Sequence, residues 1–374
     1  MSCTLVVSTT FPQYPADPRG RFVVHYWRRR MSPTHRVEFL VPRTRWSRPG
    51  VDAGGPIARF HYAPTALATL TGRFGILENI RERPGRALWV PSLLVGLAHA
   101  LRRRLARGDV DHVAAHMCLP GGWVVAELCH AVGVPFSVYG HGTDVDVALR
   151  LPGPLRWRLA AALSRADTLS VPSADKARRV RAELSRTLSV TVEPMLTAIE
   201  APAAAAPRVG RDILFVGRLI RQKGVDDLLE AVRRMDAPPR LHVAGDGPDR
   251  PRLERLARRY GLRATFHGYV EGPAKEALFA KAAVVCVPSR PTRWGLSEGA
   301  PLVIREAFAR SVPVVATRVG GIPEVCGGGE GADGAAILVP AGDPGALARA
   351  LAEATAEPVH EPHAGVLQVA RALA

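Results

Sequence analysis

Short apolar runs rich in valine, isoleucine and leucine recur along this chain, each separated from the next by a longer amphipathic stretch. A strand that reads as continuously apolar is buried on both faces, and helices must supply the cover, so the alternation predicts parallel sheets layered between helices. Strands are expected at 4–7, 37–41, 110–114, 136–139 and 168–171, then at 213–216, 241–244, 264–267, 284–287, 313–316 and 336–339. At 374 residues the chain exceeds the roughly 250–300 at which one core stops growing, so two domains follow. The stretch APAAAAPRVG at 201–210 is rich in alanine and proline with little to bury, the composition of a linker. The expected fold class is α/β, two doubly wound Rossmann-like domains facing a cleft. They take residues 1–200 and 211–358, and 359–374 remain for a short helix, at 366–373, crossing back.

Composition narrows the setting. Five scattered cysteines, Cys3, Cys118, Cys129, Cys286 and Cys326, form no C-x-x-C pair and are odd in number, which argues against a disulfide framework or a zinc site and for a reducing cytoplasm. The first apolar run has no basic segment before it and reads as a strand, not a signal peptide. The apolar stretch at 87–101 contains Pro91 and falls short of the roughly 20 residues that span a bilayer. Net charge is +16, and only four of the fifty basic residues are lysine. The arginines are dispersed and not interleaved with aromatics as stacking platforms require, so no nucleic-acid partner is expected. The basic stretches HYWRRR and LRRRLARG are expected to be solvated helix faces, or else a peripheral contact with anionic lipid at the inner face of the cell membrane.

In open α/β sheets ligands lie beyond the carboxyl ends of the strands. After the expected strand 213–216, Arg218 and Lys223 flank a turn before a helix, and two cations beside a helix start make an anion site. After the strand at 284–287 come Glu298 and Glu306, with seven residues between them. Pro301 suits the first helical position, which leaves Glu298 in the loop and puts Glu306 on the helix, roughly 7 to 8 Å further along at about 1.5 Å per residue. That span is comparable to the distance from a ribose to a sugar beyond its diphosphate. One carboxylate can then take ribose hydroxyls and the other sugar hydroxyls, with N–H groups near Gly299 and Ala300 meeting phosphate between them.

Four motifs in order, G-R-x4-K-G at 217–224, AGDGPDRPRLERLA at 244–257, E-x7-E at 298–306 and GGIPE at 320–324, resemble the GT-B glycosyltransferases of family 4. The resemblance implies that Arg218 and Lys223 grip the diphosphate of a nucleotide sugar, with Glu298 on the sugar ring and Glu306 on the ribose. The backbone near Tyr269 and Val270 would read the base. Gly140-His141-Gly142 is similar to the family's His-Gly turn, which implies His141 near the anomeric carbon, touching a sugar hydroxyl or the acceptor side. The loop around Gly20 resembles one that approaches the phosphates or acceptor, although here it lacks the usual Gly-Gly pair. The expected co-substrates are a UDP, GDP or dTDP sugar and a hydroxyl acceptor, with no cofactor, no metal and retention at the anomeric carbon. A small natural-product core or a cell-envelope glycan or glycolipid would serve as acceptor.

Other readings compete. Gly295-Leu296-Ser297-Glu298-Gly299 fits the G-x-S-x-G elbow of a serine acyl hydrolase, with Asp333, Asp343, His360 and His363 as formal partners. SRPTRW, however, separates Ser297 from the preceding strand. Asp144-Val145-Asp146 has the D-x-D spacing of a metal-dependent transferase and is read as coincidence, because Arg218 and Lys223 already supply positive charge. A nucleotide-sugar epimerase would share the fold and consume donor without acceptor. A dehydrogenase is disfavoured, since neither GDGPDR nor GHGTDV completes G-x-G-x-x-G and no Walker pattern occurs.

Overall fold

The computed structural model describes residues 2–72, 74–193, 211–292, 295, 297–327 and 336–356. Two compact units, Met1–Ala198 and Ile199–Ala374, divide the chain. The expected linker at 201–210, the C-terminal helix at 366–373, and Asp333, His360 and His363 lie outside the described residues.

The first unit carries seven strands: β1 (Ser2–Ser8), β2 (His35–Pro42), β3 (Ile57–Phe60), β4 (His112–His116), β5 (Phe136–Tyr139), β6 (Thr168–Val171) and β7 (Val190–Val192). They form one sheet in the order β3-β2-β1-β4-β5-β6-β7, every pair parallel. The order reverses between β1 and β4. Leu5 and Val7 join one apolar cluster, with Leu97, Leu101 and Val113, and Val6 joins the other, with Phe39 and Val41. Each such side chain is worth about 1.5–3 kcal/mol when buried, so a one-residue slip of β1 would exchange both faces.

Strand β4 begins at His112, two residues later than the run at 110–114 suggests. The cause is local. The Asp111 carboxylate accepts from Cys3 N at 2.7 Å, and Asp111 N donates to Cys3 O at 3.0 Å, so this residue serves as a tie to β1.

The second unit adds β8 (Asp212–Val216), β9 (Leu241–Ala244), β10 (Ala264–Gly268), β11 (Ala282–Val287), β12 (Val314–Thr317) and β13 (Ala336–Val339). The order is β10-β9-β8-β11-β12-β13, again parallel throughout. Here the reversal lies between β8 and β11. Ile213 and Phe215 pack into one cluster and Leu214 into the opposite one. Loops leaving neighbouring strands at such a reversal diverge and open a crevice beyond their carboxyl ends.

Candidate active site

The β8 loop carries Arg218 and Lys223, and its backbone is braced by the loop after β9. Gly217 N donates to Ala244 O and Leu219 N to Asp246 O, both at 2.9 Å. Gly245, at φ +145°, lies so close that a Cβ there would sit 1.8 Å from Gly217 O. The Gly-Asp-Gly segment is thus a support for the turn that presents Arg218. Arg218 is exposed, and Lys223 ends a short 3-10 turn, Arg221–Lys223.

Lys223 Nζ reaches Glu298 Oε1 at 2.9 Å, so the structure brings together two residues from opposite sides of the strand reversal. Ser289 Oγ donates to the same oxygen at 3.0 Å. Glu298 is 7% exposed. Both bonds fall on Oε1, and Oε2 has no partner among the described residues and is not sealed in. The Glu298 backbone is held from behind by the GGIPE turn. A Cβ on Gly320, at φ +56°, would meet Glu298 O at 2.2 Å, and Gly321 N donates to that oxygen at 3.2 Å. Gly299 is buried beside it and Ala300 half-buried.

Glu306 lies on the helix Leu302–Phe308, as expected. Pro301 does not take the first helical position; it is the N-cap, with φ −62° and ψ 114°, because its extended ψ carries the chain out of the Glu298 loop. Lys275, on the helix Gly272–Lys281, pairs with Glu306 Oε1 at 2.6 Å. As with Glu298, the other oxygen has no partner among the described residues. Tyr269 and Val270 follow β10 directly. Tyr269 is 50% exposed and its hydroxyl donates to Glu271 Oε2 at 3.0 Å, while Val270 packs against the cluster of Phe279 and Ile304.

Sequence reasoning missed two residues here. Lys275 is separated from Glu306 by a strand and a loop, and nothing in its surroundings marks it. Arg290 reads as part of a loop, yet it clamps Asp226 at 2.8 Å and Asp227 at 2.9 Å and donates through Nε to Arg221 O at 3.1 Å. It fixes the turn that presents Lys223.

In the first unit, Gly20 precedes the helix Arg21–Arg28 beyond the carboxyl end of β1, and His141 lies beyond that of β5. The helix that follows Gly20 reaches the histidine: the Phe22 ring meets His141 edge-on, with centroids 4.9 Å apart. Asp144 ties the β4 and β5 loops: its carboxylate accepts from Cys118 N at 2.6 Å and from His141 N at 2.9 Å. Asp146 is buried and takes Lys176 Nζ and Arg179 Nη1, each at 2.6 Å. The two carboxylates of the D-x-D segment are therefore directed at separate protein donors.

The histidine itself is neutral near pH 7. Burial lowers its pKa from the usual 6.5, with Asp144 opposing in part. Its Nε2 lies 3.1 Å from His116 Nδ1.

Ser297 sits in irregular backbone between β11 and the helix Leu302–Phe308, away from the strand end that a nucleophile elbow needs. Asp343, one of its formal partners, caps the helix Pro344–Ala356 through Ala346 N at 2.9 Å.

A family model described as "Glycosyl transferases group 1" matches residues 210–357, and one described as "Glycosyltransferase Family 4" matches 20–187. The chain is 28% identical over 348 residues to the 2-deoxystreptamine N-acetyl-D-glucosaminyltransferase of Streptomyces fradiae, covering 85% of this chain and 76% of the relative. It is 27% identical over 296 residues to a Bacillus subtilis protein whose name assigns it to teichuronic acid biosynthesis as the glycosyltransferase TuaC, covering 72% of each. Among solved structures, sucrose-phosphate synthase from Thermosynechococcus elongatus superposes with a TM-score of 0.77 at 20% identity over 100% of this chain and 95% of that one. Anabaena HepE in complex with UDP and glucose gives 0.67 at 16% identity, covering 100% and 98%. At such identities these structures establish the fold.

Proposed function

The chain is a glycosyltransferase of group 1 and family 4, and from that premise we propose that its second unit holds a nucleotide-diphosphate sugar for transfer to a hydroxyl acceptor. The observation that carries this reading is the division of each carboxylate. Glu298 and Glu306 both give one oxygen to a lysine and keep the other for a ligand, as a residue that must accept a sugar hydroxyl in a fixed direction would. Lys223, with Arg218, faces the diphosphate and shares its charge between that group and Glu298. The Glu298 Oε2 takes a hydroxyl of the transferred sugar, and Glu306 Oε2 takes the ribose. The backbone at Gly299 and Ala300 meets phosphate, and Tyr269 and Val270 border the base.

As the bond from the anomeric carbon to the β-phosphate loosens, positive charge develops in the sugar and negative charge on the departing diphosphate. Arg218 and Lys223 are placed to stabilise that diphosphate, and fixed charges in a water-poor site are worth more than in solvent. We propose that they supply the charge a divalent cation supplies in D-x-D transferases. Turnover that vanishes with EDTA and returns with Mn²⁺ would contradict this. Family membership supports retention, with the acceptor attacking on the side that the diphosphate leaves, a stereochemistry that NMR of the product linkage reads directly.

The acceptor is proposed to be a small polyhydroxylated natural-product core. The relative from Streptomyces fradiae supports this, since it is named for 2-deoxystreptamine and the match spans 85% of this chain. TuaC supports the alternative, an envelope glycan. Both fit a cytoplasmic enzyme, as do five free, buried cysteines. Arg218→Ala and Lys223→Ala are each expected to lower turnover on the order of 10²-fold or more, and near-wild-type rates in both would refute the assigned roles.

A further inference from the structure

Three rings of the first unit determine which nitrogen of His141 carries its proton. Trp27 Nε1 lies 2.7 Å from His116 Nε2. An indole N–H only donates, so this His116 nitrogen accepts and is unprotonated. His116 is 0% exposed, and burial, with His141 and Arg30 beside it, holds its pKa well below 6.5. The ring is neutral, and its one proton is on Nδ1.

That Nδ1 lies 3.1 Å from His141 Nε2. The two rings are 15° from parallel with centroids 5.3 Å apart. This separation is the nitrogen–nitrogen distance plus the two ring radii, so both nitrogens lie on the line between the centres. The contact is an in-plane N–H···N hydrogen bond and not a face-to-face stack. His141 Nε2 therefore accepts. The proton of the neutral His141 ring stays on Nδ1, which has no partner among the described residues and is not sealed in.

We propose that Trp27 and His116 are positioning residues that lock His141 in the Nδ1–H tautomer, making it a fixed hydrogen-bond donor to a hydroxyl oxygen of the sugar substrates and removing it as a base. The proposal that this N–H meets substrate rests on the transfer reading above; the tautomer itself does not. The proton balance follows. As the acceptor oxygen bonds to the anomeric carbon and the carbon–phosphate oxygen bond breaks, the acceptor's proton passes to the departing diphosphate, because one His141 nitrogen is already protonated and the other is engaged.

The test is ¹⁵N NMR of the full-length protein with ¹⁵N-labelled histidine, the ring signals assigned by their loss in His116 and His141 variants. In the wild type near pH 7.5, His141 should show a protonated Nδ1 and an unprotonated Nε2. His116→Asn, whose amide N–H can replace the Nδ1–H, should keep that pattern and most of kcat. His116→Leu and the milder Trp27→Phe should mix the tautomers and lower kcat on the order of tenfold, the scale of one hydrogen bond, with donor KM within about twofold, since the groups assigned to the donor's diphosphate, ribose and base are untouched. A protonated Nε2 on His141 in the wild type overturns the proposal, as do unchanged tautomers and kcat in both Trp27→Phe and His116→Leu. The expected spectrum without turnover of any nucleotide sugar would support the lock and sink the transfer reading. The opposite tautomer with full transfer would sink the lock alone.

Discussion

At the scale of single residues, lysine stands out by its scarcity. Only four of the fifty basic residues are lysine, and three of the four pair with an acid at 2.9 Å or less: Lys176 with Asp146, Lys223 with Glu298 and Lys275 with Glu306. An ammonium on a flexible stem fits beside a carboxylate and a phosphate where a planar guanidinium would displace one of them. Lys223→Arg is therefore expected to lose activity despite keeping its charge, by about tenfold or more in kcat/KM for the donor; steady-state kinetics with the donor varied would show it. Gly320 is equally specific. Gly320→Ala would drive a Cβ to 2.2 Å from Glu298 O at φ +56°, and a loss of about 2 kcal/mol or more is expected, with weakened donor binding because Glu298 moves. Gly342→Ala, where φ is +74° and the space is open, should cost only about 1 kcal/mol. Denaturant melts of the two variants compare them directly.

The histidines add a pH dependence. His116 and His141 have folded-state pKa values below the 6.5 of an open chain. The unfolded chain binds more protons below that pH, so the stability from neutral rings is complete above about 6.5 and is lost as pH falls toward the folded values. Tm should decline between pH 7 and 5, and less steeply in His116→Asn.

At the scale of elements, what the sequence made legible and what it hid divide along contact range. Runs buried on both faces, such as LHVA in β9 and VVCV in β11, stood out because both faces of a central parallel strand are apolar. β3, with sequence IARF, and β7, with sequence VTV, were not expected. Both are edge strands with one neighbour and an exposed side, so Arg59 and Thr191 interrupt the apolar pattern. The places of Arg218, Lys223 and Glu298 in the β8 and β11 loops, and of Glu306 on the helix that follows, were readable because they follow from strand order. Their supports were not, since Lys275 and Arg290 act across many residues of intervening chain on partners that spacing does not reveal. Asp144 appeared only as half of a metal-like pair, whereas it joins the β4 and β5 loops. Arg290 joins the β11 loop to the β8 turn, and Asp227 has one carboxylate oxygen without a partner among the described residues. Arg290→Met would leave Asp226 and Asp227 adjacent and without it, at a cost of about 2 kcal/mol. A lower Tm with reduced donor affinity is expected, and an unchanged Tm would contradict the clamp.

At the scale of the whole molecule, the net charge of +16 does not translate into a basic face of equal size. Arg104 is buried against Glu38 and Asp109, Arg30 lies over the Tyr26 ring and near Glu193, and Arg28 pairs with Asp52. In the segments HYWRRR and LRRRLARG only Arg104 is buried, while Arg28 and Arg30 stay exposed but share their charge with acids, and no helix among the described residues is long and apolar enough to cross a membrane. Co-sedimentation with anionic vesicles at physiological salt is expected to leave the protein in the supernatant; salt-sensitive pelleting would favour the envelope acceptor instead. We propose the β8 and β11 loops of the second unit as a diphosphate-sugar site in which Lys223 supplies charge. Calorimetric titration of the full-length protein with UDP, GDP, dTDP and ADP sugars, alongside Lys223→Met, tests it most directly. One nucleotide class should bind saturably to the wild type and at least about tenfold more weakly to Lys223→Met, the scale of one lost charge-assisted bond, whereas equal affinity in the two proteins, or no binding to the wild type, would contradict it.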